Sequence, residues 1–108
     1  MITIHELRRE RGPMCEKCGI REAVERHHAL IHDVKRFHEQ LTCKENIMQA
    51  CDVCHRGECV LNGYDMRVWF WGVQCERYGK KYMKRWITKL LADCPKLEYS
   101  RRIDFVNG

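Results

Sequence analysis

The sequence contains no apolar run approaching the roughly 18 residues that a membrane-crossing helix needs, so a helical membrane span is not expected. Its first residues, Met1 to Arg9, also lack the apolar stretch of a secretory leader. They carry His5, Glu6, Arg8 and Arg9 instead, and a cytoplasmic protein is expected. There is no internal repeat and no low-complexity segment, which argues against a repeat array or a structureless linker. Nor does one sign of charge dominate. Twenty Lys and Arg stand against 15 Asp and Glu, for a net charge of +5. That excess is compatible with a polyanionic partner but does not demonstrate one. A chain of 108 residues suggests one domain, 1–108, with a modest core that a structural metal would help to hold.

What the sequence does have is cysteine, eight in all, in an uneven pattern. Two CxxC pairs stand out: Cys15-Glu16-Lys17-Cys18, and Cys51-Asp52-Val53-Cys54, the latter followed by His55. In a reducing compartment such pairs point to metal rather than to disulfides. Each CxxC places two sulfurs on one turn, and two turns complete a tetrahedron around zinc at about 2.3 Å per bond. Cys15, Cys18, Cys51 and Cys54 are therefore the expected structural zinc ligands. Cys75 and Cys94 fall in or at the end of helical segments and read as small core residues. Cys43 and Cys59 are ambiguous, and either could compete for a ligand position. Cys51 to His55 also matches the pattern of c-type haem attachment, which would make the chain an electron carrier. That reading calls for export and leaves Cys15 and Cys18 without a role.

The remaining segments read as follows. Thr3-Ile4-His5-Glu6 has the form of a capping box, predicting a helix to about Arg11, stopped by Gly12-Pro13. A strand is expected within Glu22 to Leu30, ending at His27-His28. The polar stretch His32 to Lys44 reads as a loop with one helical turn. Asp65 can cap a helix to Tyr78 with Met66, Trp69, Phe70 and Val73 on one face, leaving Trp71 off that stripe and exposed. After Gly79 a second helix runs from Lys80 to Ala92 with Tyr82, Met83, Trp86, Ile87, Leu90 and Leu91 as its apolar stripe. Lys81, Lys84, Arg85 and Lys89 form its other face, a candidate contact to nucleic-acid phosphates that reads equally as a solvated surface. Alternation of Ile103 and Phe105 suggests a short strand in the tail. His5, His32 and His38 read as surface residues.

Two stretches, taken together, carry a family resemblance. They are Glu25-Arg26-His27-His28 and Asn46-Ile47-Met48-Gln49-Ala50-Cys51-Asp52-Val53-Cys54-His55. A CxxC, a His-His pair, and an asparagine five residues before a second CxxC-His resemble the HNH nucleases, in the branch clamped by a four-cysteine zinc. The likeness spans residues 15 to 59, about two-fifths of the chain. It implies an α+β fold: a small zinc-bound ββα-metal core at about 13–62, with C-terminal helices at about 63–95. It also implies metal-dependent hydrolysis or nicking of DNA. His28 takes the general-base position, Asn46 the position that braces the hairpin loop, and His27 and His55 the ligands of a catalytic divalent ion such as Mg²⁺, Mn²⁺ or Ni²⁺. Many relatives carry a third ligand, His or Asn, one turn after the helix histidine; Glu58 and Cys59 stand there in this chain. DNA is the implied partner, and some small nucleases dimerise to cut both strands. The alternative is a non-catalytic zinc module that binds nucleic acid or protein.

Overall fold

Thr3 begins the first element as its local chemistry dictates. Its hydroxyl accepts from the Glu6 amide at 3.1 Å while the Glu6 carboxylate accepts from the Thr3 amide at 3.2 Å. This reciprocal cap satisfies two helix-end donors and opens helix α1, Ile4–Arg11. Gly12 ends it at φ 87°, a backbone angle that favours glycine. The structure, a computed structural model, describes residues 1–57, 59, 62–95, 97 and 103–107.

A two-stranded antiparallel sheet follows, β1 (Glu25–His28) against β2 (Ile47–Ala50). The register pairs Glu25 with Ala50, Arg26 with Gln49, His27 with Met48 and His28 with Ile47. The strand is shorter than the Glu22–Leu30 window, because Met14 takes Glu22 as an isolated bridge partner instead. Between the strands lie a 3-10 turn, Lys35–Phe37, and one α-helical turn, α2 (His38–Leu41), where a loop with a single helical turn is expected. After β2 comes the five-residue α3 (Asp52–Arg56), ended at Gly57. Two longer helices follow, α4 (Gly63–Tyr78) and α5 (Lys80–Asp93). This is a small α+β protein with a radius of gyration of 13.1 Å, what about 100 residues in one compact body give.

The core runs through the sheet and both long helices: Leu30, Ile31, Leu41, Met48, Phe70, Met83 and Leu97 are fully or almost fully buried. Three expectations need correction here. Asp65 does not cap α4, which starts at Gly63 behind Asn62, so Asp65 lies in its first turn. Trp71 is buried, 6% exposed, and packs on Phe105 with ring centroids 5.4 Å apart. Trp69 is partly exposed, with the Lys17 ammonium 4.5 Å from its ring centroid. The tail is not a strand where it is described: Asp104–Asn107 is a 3-10 turn that delivers Phe105 into the core beneath Trp71. Residues 96, 98–102 and 108 of the tail, and Glu58, lie outside the described residues.

Candidate metal centre and histidine cleft

The first CxxC forms a tight turn closed by the Gly19 amide on the Cys15 carbonyl at 2.9 Å, with Gly19 at φ 66°. The second straddles the exit of β2. Cys51 is the N-cap of α3, its sulfur accepting from the Cys54 amide at 3.4 Å. A buried anion brings the two turns together. Glu16 accepts from the Gln49 amide at 2.8 Å, from Arg11 at 2.9 Å and from Arg77 at 2.5 Å. This fastens the first turn to β2, α1 and α4 at once.

As a result the sulfurs of Cys15, Cys18, Cys51 and Cys54 all lie within 4.8 Å of one another, with Cys18 and Cys51 at 3.9 Å. Four sulfurs at about 2.3 Å from a common centre would stand about 3.8 Å apart, so the cluster has the size of a tetrahedral zinc site. Amide hydrogen bonds from Ile20 and Arg21 hold the Cys18 thiol down at about 6. Burial and the neighbouring sulfurs push Cys54 well up, which is the cost of packing thiolates together without a cation. The cluster can hold a metal ion, and its donor set suits zinc. Cys43, Cys75 and Cys94 are pushed up by burial, Cys43 to about 12, and so stay thiols outside this cluster.

The histidines are placed by strand parity. Alternate residues of a strand share a face, so Glu25 and His27 point the same way and His28 the other. On the first face α3 presents His55. Its Nδ1 is held by the Glu25 carboxylate in a short hydrogen bond, and its ring meets that of His27 at a centroid separation of 4.8 Å. A carboxylate on one ring nitrogen fixes the tautomer and leaves Nε2 as the available ligand atom. His27 is held down at about 4, first by burial and then by His55, His32 and His28, so it is a neutral imidazole near pH 7. Among the described residues no third ligand atom joins these two within the 4.8 Å range of the cysteine cluster. Cys59 lines the same cleft, together with His27, His28, His32, Asp33 and His55, in a cavity of about 370 Å³.

On the second face the His28 Nε2 lies 3.0 Å from the Thr42 hydroxyl. That hydroxyl spends its proton on the His38 carbonyl at 2.7 Å, so it accepts from Nε2–H. The lone pair of His28 is then on Nδ1. Burial pushes His28 below its ordinary value, against a smaller upward pull from Asp33. Asn46, fully buried at the entrance to β2, uses its whole side chain on the loop that follows His28. Its oxygen accepts from the Leu30 and Ile31 amides at 3.2 and 2.8 Å, and its amide donates to the Ile31 and Leu41 carbonyls at 2.9 Å each.

Lys81, Lys84, Arg85 and Lys89 are exposed on α5, and none of them lines a cavity beside His55. Among the described residues, Arg26 and Arg56 are the cations that line the cavity beside His55. Sequence reasoning missed both, although each is adjacent to a candidate histidine. It also missed Glu25, Asp33 and Thr42, and it placed His38 on the surface. Its side chain is 40% exposed, and its ring lies 5.7 Å from that of His28. Comparison with protein-family models, curated proteins and solved structures returned no match for this chain.

Proposed function

We propose that the protein is a metal-dependent endonuclease of the HNH type that hydrolyses or nicks DNA. The observation that carries the reading is the convergence of His27 and His55, rings 4.8 Å apart, in a cleft that His28 also lines, beside a four-cysteine cluster. The order of parts supports it too: a hairpin ending in His-His, then a short helix bearing His55 directly after the second CxxC.

Each residue has a role in this reading. His27 and the Nε2 of His55 hold a divalent ion, with Glu25 fixing the His55 ring. When bound, the ion neutralises charge on the phosphate and the leaving oxygen. His28, neutral near pH 7, accepts a proton from water at Nδ1, since Nε2 is engaged with Thr42. Asn46 keeps the loop after His28 in place. Arg26 and Arg56 receive the flanking phosphates. A zinc ion held by Cys15, Cys18, Cys51 and Cys54 would take no part in the chemistry; it would hold the two turns so that the histidines converge. No helix among the described residues is long and apolar enough to cross a membrane.

The test is a plasmid-nicking assay with Mg²⁺, Mn²⁺ or Ni²⁺. Wild type should nick, and His28→Ala should lose about 10²–10⁴-fold in rate while keeping the metal of its cysteine cluster, its fold and its DNA affinity. Wild type inert on duplex, branched and single-stranded DNA with every ion would sink the reading. The two-ligand character of the His27–His55 pair favours a second reading, a zinc module that binds nucleic acid or protein without cutting. In that case DNA affinity survives and nicking is absent.

A further inference from the structure

A second group of metal-type ligands is built around His28, and two of its members, His28 and Asp33, also line the cleft of His27 and His55. His28, Asp33 and His38 come from the end of β1, the following loop and the start of α2, at five-residue spacings. Their ligand atoms all lie within 4.8 Å of one another. The Asp33 carboxylate sits between the rings, 2.8 Å from His38 Nδ1 and 3.7 Å from His28 Nε2. Ligands bound at about 2.0–2.2 Å stand about 3.0–3.5 Å apart around one ion, so small movements of three partly exposed side chains suffice. The loop carrying them is not free to drift, because Asn46 clamps it at Leu30, Ile31 and Leu41.

We propose that His28, Asp33 and His38 form a second divalent-metal site, selective for a borderline ion such as Zn²⁺, and that its occupancy silences His28 as a base. Two imidazoles and one carboxylate suit zinc, cobalt or nickel; magnesium prefers oxygen ligands in an octahedron and is a poor fit. An ion on His28 must take the Nε2 lone pair. The ring proton then moves to Nδ1, and the hydrogen bond to Thr42 is lost. Nδ1–H cannot accept a proton from water. The same imidazole therefore serves either as base or as ligand, and zinc competes with the Thr42 hydroxyl for it. The silencing rests on the nuclease reading; the metal site does not.

The binding arm uses protein already loaded with zinc at its cysteines, in a His55→Ala background so that the first histidine pair cannot report. Calorimetric titration with Zn²⁺ should show one further equivalent. Adding His38→Ala, or separately Asp33→Asn, should weaken that equivalent at least about tenfold, since loss even of a ligand's outer partner costs about 10–100-fold. Absence of the further equivalent, or its survival unchanged in both double variants, overturns the site. The functional arm measures Mg²⁺-supported nicking against added Zn²⁺, each protein scaled to its own zinc-free rate. Wild type should be inhibited at a concentration at least about tenfold lower than His38→Ala. Equal sensitivity refutes the silencing. A wild type that never nicks refutes the nuclease reading and leaves the titration to decide the site.

Discussion

Replacing Asn46 by alanine should cost more than any other single polar substitution near the histidines. The side chain is fully buried and makes four hydrogen bonds, all to backbone. Alanine leaves the amides of Leu30 and Ile31 without an acceptor in a region with no access to water, both residues being fully buried. A buried donor left unpaired costs about 1–3 kcal/mol, so two of them cost about 2–6 kcal/mol. A domain of this size has only about 5–15 kcal/mol to lose. The assay is urea unfolding at a fixed, buffered free-zinc concentration, because zinc release is coupled to unfolding. With a slope of about 1.5 kcal/mol per molar, within the range usual for small proteins, a loss of about 3 kcal/mol lowers the midpoint by about 2 M. The near-isosteric Asn46→Asp sharpens the test. One carboxylate oxygen can still accept from both amides. The other faces the Ile31 and Leu41 carbonyls, which now need donors. Folding therefore favours the protonated acid and raises its folded-state pKa. Stability is then fully present below the unfolded value of about 3.9 and is lost as pH rises through the folded one. Relative to wild type, Asn46→Asp should gain stability between pH 7 and pH 5.5. An Asn46→Ala midpoint within about 0.5 M of wild type would refute the reasoning.

Three further outcomes are expected. Stripping the metal with a strong chelator, or introducing Cys51→Ser, should unfold the protein, since Cys51 both caps α3 and supplies a ligand to the cluster; retained far-ultraviolet circular dichroism in metal-free protein would contradict this. Glu25→Gln should weaken Ni²⁺ binding at His27 and His55 about 10–100-fold without loss of fold, because the carboxylate that fixes the His55 ring is gone; unchanged affinity by titration would mean that Glu25 does not orient the ligand. His27, held at about 4 in the folded protein, should make stability fall as pH drops from about 6.5 toward 4, because the unfolded chain takes up the proton first. The His27 contribution is at most about 1.4 kcal/mol per pH unit, so the slope should be shallower in His27→Asn measured alongside the wild type, leaving the smaller part due to His28, which burial also holds down.

Where local chemistry decides structure, the sequence could be read directly. The capping box at Thr3 and Glu6, the two CxxC turns and the amphipathic stripe of Met83, Ile87 and Leu90 each depend on neighbours within a few residues. The second strand is different. Ile47–Ala50 is buried at all four positions, so it shows no alternation and was suggested only by the family resemblance. Trp71 could not be placed from the helix pattern because its partner is Phe105, 34 positions along the chain, in a tail segment whose 3-10 turn carries no periodic signal. Asp33 and His38 escaped for a related reason. Their five-residue spacings from His28 match neither a strand nor a helix, and only the irregular path from β1 into α2 closes them into a group.

The two histidine groups share one strand, and this defines what His28 can be. Parity sends His27 toward His55 and His28 toward Thr42, Asp33 and His38, so adjacent residues of β1 serve different ligand sets. A simple metal-binding module has no use for that separation. It would be served as well by two histidines one strand position further apart, on the same face. A hydrolase does have a use for it. One imidazole can hold the ion while the next holds its lone pair at the same cleft and is kept off the ion by geometry. The Thr42 hydroxyl, which spends its own proton on the His38 carbonyl, sets which nitrogen that is. Thr42→Val keeps the shape and removes the acceptor. If His28 acts as a base at Nδ1, the variant should lose rate through tautomer mixing, in buffer free of added zinc, while its DNA affinity and the metal of its cysteine cluster stay unchanged. A rate equal to wild type in Thr42→Val would mean that the tautomer is set elsewhere or that His28 is not the base.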